Sequence, residues 1–188
     1  MPRRVSQSQA VREAVRVAAK VPQRTVWIGV DGPGGAGKST LARRIAAAIE
    51  RAVVVAIDDF SGPRHAEWDI ERLREQLTTP LTRGLPARFQ RWDWRRDEGM
   101  DWVEVLPGTV VIIEGVSATR SEVTVPWALT IWVDCPVDLR RARTLERDGA
   151  ALAGRWLADW IPSEEAYFRA QRPQARAHLI VRGDEPAG

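Results

Sequence analysis

Apolar residues along the chain fall into two alternating patterns. Nearly unbroken runs at 25–30, 52–57, 110–113, 129–133 and 177–181 have the length and β-branched content of strands covered on both faces. Between them apolar residues return every three or four positions, as at Leu41, Ile45 and Ile49 after the first run and Trp68, Ile70, Leu73 and Leu77 after the second. That is the period of a helix with one face on a core. The alternation predicts a three-layer α/β fold, a five-stranded parallel sheet flanked by helices.

Other elements follow from the same patterning. Ser8, Ala10, Val11, Ala14, Val15 and Ala18, interleaved with Arg12, Arg16 and Lys20, predict an amphipathic basic helix within residues 1–24 that ends before Pro22. The helix after the second strand is expected to stop before Pro80, and residues 79–108, rich in Pro, Gly, Arg and Trp, read as an irregular excursion. A helix runs from about Val137 to Arg147, and Ser163 is placed to cap a helix through Gln171 with Glu164 and Glu165 in its first turn. At 188 residues a single domain is expected: an N-terminal helix in 1–24, a core over 25–183 and a short arginine-bearing lid at about 140–160.

Composition narrows the classes. The net charge is only +3, and the pI of about 9.7 owes much to scattered arginines, so no nucleic-acid partner is expected. No apolar run nears the ~20 residues of a membrane span, the N-terminus has no signal-like apolar stretch, and the first helix offers mostly Ala and Val. A soluble cytoplasmic protein without a membrane partner is expected, with homo-oligomerisation left open. Cys135 stands alone, which excludes an intramolecular disulfide and fits a small buried hydrophobe.

The chemistry starts at Lys38, one of two lysines in a chain with 26 arginines. It lies in Gly32-Pro33-Gly34-Gly35-Ala36-Gly37-Lys38-Ser39-Thr40, which matches Gly, four free positions, Gly, Lys, Ser or Thr. Glycines let backbone N–H groups close on a polyphosphate as an anion nest, and the helix that starts near Lys38 adds the positive end of its dipole. Lys38 is placed to reach the β- and γ-phosphates, and the Ser39 hydroxyl to ligate Mg²⁺. The strand before and the helix after supply the context this motif requires.

Ligands of open α/β sheets bind beyond the carboxyl ends of the strands, which singles out Asp58, Asp59 and Glu114. Asp58 is the candidate base that takes a proton from an acceptor hydroxyl, with Asp59 its rival. Glu114, ending the 110–113 strand, is a candidate for Mg²⁺, directly or through water. Arg140, Arg143 and Arg147 recur at spacings of three and four, hence on one helix face. They read either as a closing lid that neutralises a transferring phosphoryl group or as a solvated face.

Taken together, Asp31 to Thr40, Ile57-Asp58-Asp59-Phe60, Ile112-Ile113-Glu114-Gly115-Val116 and Trp132-Val133-Asp134-Cys135-Pro136 resemble the uridine kinase branch of the P-loop kinases, over roughly residues 25–183. The resemblance implies a P-loop NTPase fold, ATP and Mg²⁺, and an Asp-x-Phe base at Asp58. It also implies that Asp69 holds ribose hydroxyls, that Trp92 and Trp94 line a base pocket, and that Arg140, Arg143 and Arg147 are lid arginines, with Arg143 catalytic. Asp59 falls beside the acceptor. The departures cluster where an acceptor is chosen. Ser61 replaces an aromatic, a position near Asp97 replaces a histidine, and Gly149 to Arg155 replaces the arginine-rich lid continuation.

The sequence therefore supports an ATP-dependent small-molecule kinase whose partners are a nucleoside triphosphate and a small acceptor, most simply a nucleoside. A nucleotide, sugar or vitamin acceptor is the near alternative, and a non-catalytic nucleotide-binding module the distant one. A guanine-specific switch is disfavoured because the chain contains no Asn for an Asn-Lys-x-Asp motif.

Overall fold

The computed structural model describes residues 1–20, 24–60, 69–93, 96–149, 158 and 160–184. The expectations for Ser61, Trp68, Trp94 and the segment 150–155 lie outside the described residues.

Six strands form one parallel sheet rather than the five expected, in the order β1 (Arg3–Val5), β8 (Leu179–Arg182), β7 (Trp127–Asp134), β2 (Val26–Asp31), β6 (Val110–Glu114) and β3 (Ala52–Ala56). The added strand is β1. It has three residues, two of them exposed arginines, and pairs only with β8, so it carries no apolar run by which a sequence could reveal it. Ser6 then caps α1 (Gln7–Ala19) in a reciprocal box: the Gln9 N–H donates to the Ser6 hydroxyl and the Ser6 N–H to the Gln9 side chain.

Register explains how the sheet prepares a site. Val30 of β2 and Ala56 of β3 both pair with Glu114 of β6, and Asp31 pairs with Trp132 of β7. The central strands thus end level, and the side chains just beyond them share one edge of the sheet. Alternate residues supply the two core faces. Ile28, Val30, Ile112 and Ile131 pack with Leu41 and Ile45 of α2 (Lys38–Ala47) and with Ala10 and Ala14 of α1. Trp27, Val55, Val111 and Ile113 pack with Phe60, Leu73, Leu77 and Phe89 on the other side.

Two further expectations are corrected. The helix at residue 70 does not stop before Pro80. It passes from α3 (Ile70–Leu73) through a π-type turn (Arg74–Thr78) into α4 (Thr79–Thr82), where Pro80 sits in the first turn. The wide turn spares Pro80 the i−4 bond it cannot make. Residues 79–108 are not irregular either, since β4 (Ala87–Asp93) and β5 (Glu98–Val105) form an antiparallel hairpin. Ala87, Phe89 and Val105 turn inward while Arg88 and Glu104 turn outward, a period of two hidden by the charged composition, and Phe89 stacks on Phe60 at 5.1 Å.

Helix α5 (Val137–Asp148) agrees with expectation. Helix α6 starts earlier than Ser163, at Ile161, with Pro162 in its first turn, and runs to Gln171; α7 (Pro173–Arg176) leads into β8. No helix among the described residues is long and apolar enough to cross a membrane.

Gly29 in the centre of β2 tests this packing. A Cβ there would come within 2.5 Å of Thr119 Cγ2 and 3.2 Å of the Trp127 ring. Gly29→Ala is expected to cost ~1–3 kcal/mol by overpacking, which calorimetry would register as a fall in Tm of about 3 °C or more.

Candidate active site

The loop between β2 and α2 is built on glycines that cannot be replaced. Gly35 has φ 74°, and a Cβ on it would lie 2.7 Å from the Arg140 carbonyl oxygen. Gly37 caps α2 with φ 97°, and a Cβ on it would meet only ordinary van der Waals contacts with Gly183 and Arg143, so there the backbone angle alone demands glycine. No side chain bonds the N-terminus of α2 and no carboxylate lies in its first turn. Its dipole end is therefore left facing the loop. Ser39 and Thr40 are exposed beside it.

Lys38 is buried and its Nζ donates to the Pro33 carbonyl at 2.8 Å. Burial pushes its pKa down, while the charges of Glu114, Glu164, Asp31 and Asp58 all push it back up. Four carboxylates from four parts of the chain thus converge on one ammonium. The Ser39 hydroxyl donates to Glu114 Oε1 at 2.8 Å. Burial raises the Glu114 pKa, opposed by Lys38 and by the Ser39 bond. A hydroxyl and a carboxylate side by side are hard oxygen donors, and two of them suit Mg²⁺, which keeps several waters and takes its other ligands from phosphate. No cluster of three His, Cys, Asp or Glu occurs among the described residues, as a protein-only cage would need.

The 3₁₀ turn Ile57–Phe60 separates the two aspartates. Asp58 is exposed, and its charge reaches both Lys38 and Glu114. Asp59 is half-buried, where burial raises its pKa and Arg91, whose Nε donates to Oδ1 at 3.2 Å, lowers it. Arg91 also lies 3.6 Å from Asp101 on β5, and Arg72 donates to the backbone carbonyls of Asp59 and Gln90. Asp59 is thereby built into the wall between the turn and the hairpin. Asp69 caps α3, its Oδ1 accepting from the Arg72 N–H at 2.9 Å. Trp92 is half-buried on β4 and donates Nε1–H to Asp97 at 3.3 Å.

The arginines of α5 lie on the loop itself. Arg140 Nη1 is 3.5 Å from the Gly34 carbonyl oxygen, and Arg143 Nη1 donates to the carbonyls of Gly35 (3.4 Å) and Gly183 (3.0 Å) and approaches Cys135 Sγ at 3.8 Å. Arg147 is exposed on the same helix. Cys135 is buried, and burial pushes its thiol pKa up, in keeping with a small core residue.

Three residues that the strand-end rule and the helix pattern passed over complete the site. Asp31 is buried and accepts five hydrogen bonds: Gly32 N–H (2.7 Å) and Ser117 N–H (3.1 Å) on Oδ1, and Thr119 N–H (2.9 Å), Thr119 hydroxyl (2.6 Å) and Tyr167 hydroxyl (2.7 Å) on Oδ2. Burial drives the Tyr167 pKa well up, helped by Asp31, so its O–H remains a donor. Glu164, read from sequence only as a first-turn carboxylate, is buried and accepts the Gly34 N–H at 2.9 Å on Oε1, while Oε2 lies 3.6 Å from Arg140 Nη1. Asp31 ends an apolar strand just as Glu114 does, so the same signal could have found it. Nothing local marks Glu164 or Tyr167.

A parallel sheet whose carboxyl edge carries a glycine loop, a helix N-terminus, a buried lysine and a Ser–Glu pair defines a P-loop nucleotide-binding fold of the kinase type. Comparison with known proteins agrees. No family model matches the chain. It is 29% identical over 179 residues to the uridine kinase of Borrelia turicatae (strain 91E135), covering 82% of this chain and 84% of the relative, and 27% identical over 164 residues to that of Borrelia duttonii (strain Ly), covering 77% and 76%. Among solved structures it superposes on a candidate fructose transport system kinase from Silicibacter sp. TM1040 (TM-score 0.69, 21% identity, 94% of this chain and 98% of the other). It also superposes on a candidate uridine kinase from Bacillus stearothermophilus (TM-score 0.65, 20% identity, 92% and 99%). The chain is uridine kinase-like in sequence and has the P-loop kinase fold.

Asp31 gives this site its test. Asp31→Ala leaves buried backbone and hydroxyl donors unpaired, at ~1–3 kcal/mol for each donor. Thermal unfolding is expected to show a fall in Tm of more than about 5 °C.

Proposed function

We propose that the chain is an ATP-dependent small-molecule kinase that moves the γ-phosphoryl group to a hydroxyl, with a nucleoside as the preferred acceptor. The observation that carries this reading is the meeting of the Ser39–Glu114 pair, buried Lys38 and exposed Asp58 at one sheet edge. The sequence likeness to uridine kinases supports the nucleoside.

In this reading the loop N–H groups and the α2 N-terminus bind the polyphosphate. Lys38 gives up its bond to the Pro33 carbonyl and sets its ammonium against the β- and γ-phosphates; the added negative charge favours the charged form that burial disfavours. Ser39 and Glu114 would hold Mg²⁺, which supplies charge neutralisation between the phosphates when bound. Asp58 accepts the proton of the acceptor hydroxyl as its oxygen attacks in line. Arg140 and Arg143 hold the outer face of the loop and stand near enough to turn toward phosphate. Asp59, Asp69 and Trp92 belong to the acceptor wall that Arg91 and Arg72 tie together. A sugar acceptor is the second reading, favoured by the fructose transport system kinase likeness and by the altered acceptor positions.

ADP release assayed against nucleosides and sugars separates these acceptors, and no turnover above background with any of them would sink the kinase reading. Asp58→Asn is expected to keep ATP affinity and lose at least about a hundredfold in kcat. An equal loss from Asp59→Asn alone would move the base one residue along. Lys38→Ala is expected to weaken ATP binding by about tenfold or more in titration calorimetry; unchanged binding would favour a module that does not use this loop.

A further inference from the structure

Glu164 is a buried carboxylate with no part in the transfer just described. Its Oε1 accepts the N–H of Gly34, inside the loop whose N–H groups are aimed at phosphate, and its charge reaches Lys38. Around it stand Lys38 from α2, Arg140 from α5 and Asp31 from β2. Two helices thereby grip the same dipeptide: α6 takes the Gly34 N–H through Glu164, while α5 takes the Gly34 and Gly35 carbonyls through Arg140 and Arg143.

An ordinary buried brace would neutralise its carboxylate with a close cation. Here the close partner is a nest N–H at 2.9 Å, and the arginine stands further off at 3.6 Å. A carboxylate and a phosphate make the same demands, negative charge and acceptor oxygens converging on backbone N–H groups. They cannot share one N–H, and at this burial their mutual repulsion is weakly screened.

We propose that Glu164 is a built-in competitor for the terminal phosphate: it fills the Gly34 end of the nest, and a triphosphate entering the loop expels it, taking over Lys38 and Arg140 and releasing the first turn of α6. The proposal rests on the nucleotide-binding reading above. Discrimination between tri- and diphosphate is its consequence, because only the longer chain reaches past the β-phosphate positions toward Gly34.

Titration calorimetry with ATP and ADP on the full chain tests this, comparing wild type with Glu164→Gln and Glu164→Ala. Removal of the competing charge is expected to raise ATP affinity by about fivefold or more and to change ADP affinity by less than about twofold, within the usual range of coupling between two sites. An unchanged ATP-to-ADP ratio, or weaker ATP binding, overturns the proposal and makes Glu164 a brace of the loop. Wild type that binds neither nucleotide, or that binds as well with Lys38→Ala, overturns the nucleotide reading itself and this proposal with it. If both Glu164 variants unfold, amide exchange on the wild type decides: a non-hydrolysable ATP analogue is expected to speed exchange at residues 161–165 relative to ADP, and equal or slower exchange refutes the release.

Discussion

The carboxylate of Asp31 is the interaction on which the rest of the site hangs. It lies at the end of β2, buried, and its five bonds go to three segments: the first residue of the glycine loop, the turn after β6 at Ser117 and Thr119, and Tyr167 in α6. A buried anion is tolerated when its oxygens are fully hydrogen-bonded. Because the donors come from parts far apart in sequence, satisfying one side chain fixes the loop against the sheet edge and against α6 together.

The second constraint is charge balance around Lys38. Its burial disfavours the ammonium, and the carboxylates of Glu114, Glu164, Asp31 and Asp58 oppose that effect without cancelling it. These groups pay for one another only while they stay close. In the proposed reading polyphosphate would add to the negative charge of this cluster, and a metal on the Ser39–Glu114 side, arginines on the α5 side and the departure of a carboxylate would each relieve it. The side facing the hairpin shows the opposite logic, with Arg91 and Arg72 engaged by Asp59, Asp101 and backbone carbonyls, so that wall is preformed.

Much of this was legible in the chain. The apolar runs disclosed five of the six strands, since a strand buried on both faces must be apolar throughout, and the glycine-lysine-serine spacing disclosed the loop, since its backbone angles and its chemistry allow few substitutes. Strand ends disclosed Asp58 and Glu114. The edge strand β1 was hidden because three residues paired on one side need no apolar signature, and the hairpin was hidden because its outward face is charged. The helix through Pro80 was hidden because a wide turn before it removes the need for the bond that proline cannot make.

By itself, then, the amino-acid order determined the layers, the phosphate loop and the set of strand-end carboxylates, because each depends on a residue and its near neighbours. The tertiary structure decided which aspartate is exposed and which is walled in by Arg91, where Arg140 and Arg143 rest, and that Glu164, 130 positions after Gly34, closes on the loop. Those outcomes depend on charge and hydrogen-bond partners brought together across the chain, and no local pattern encodes such a meeting.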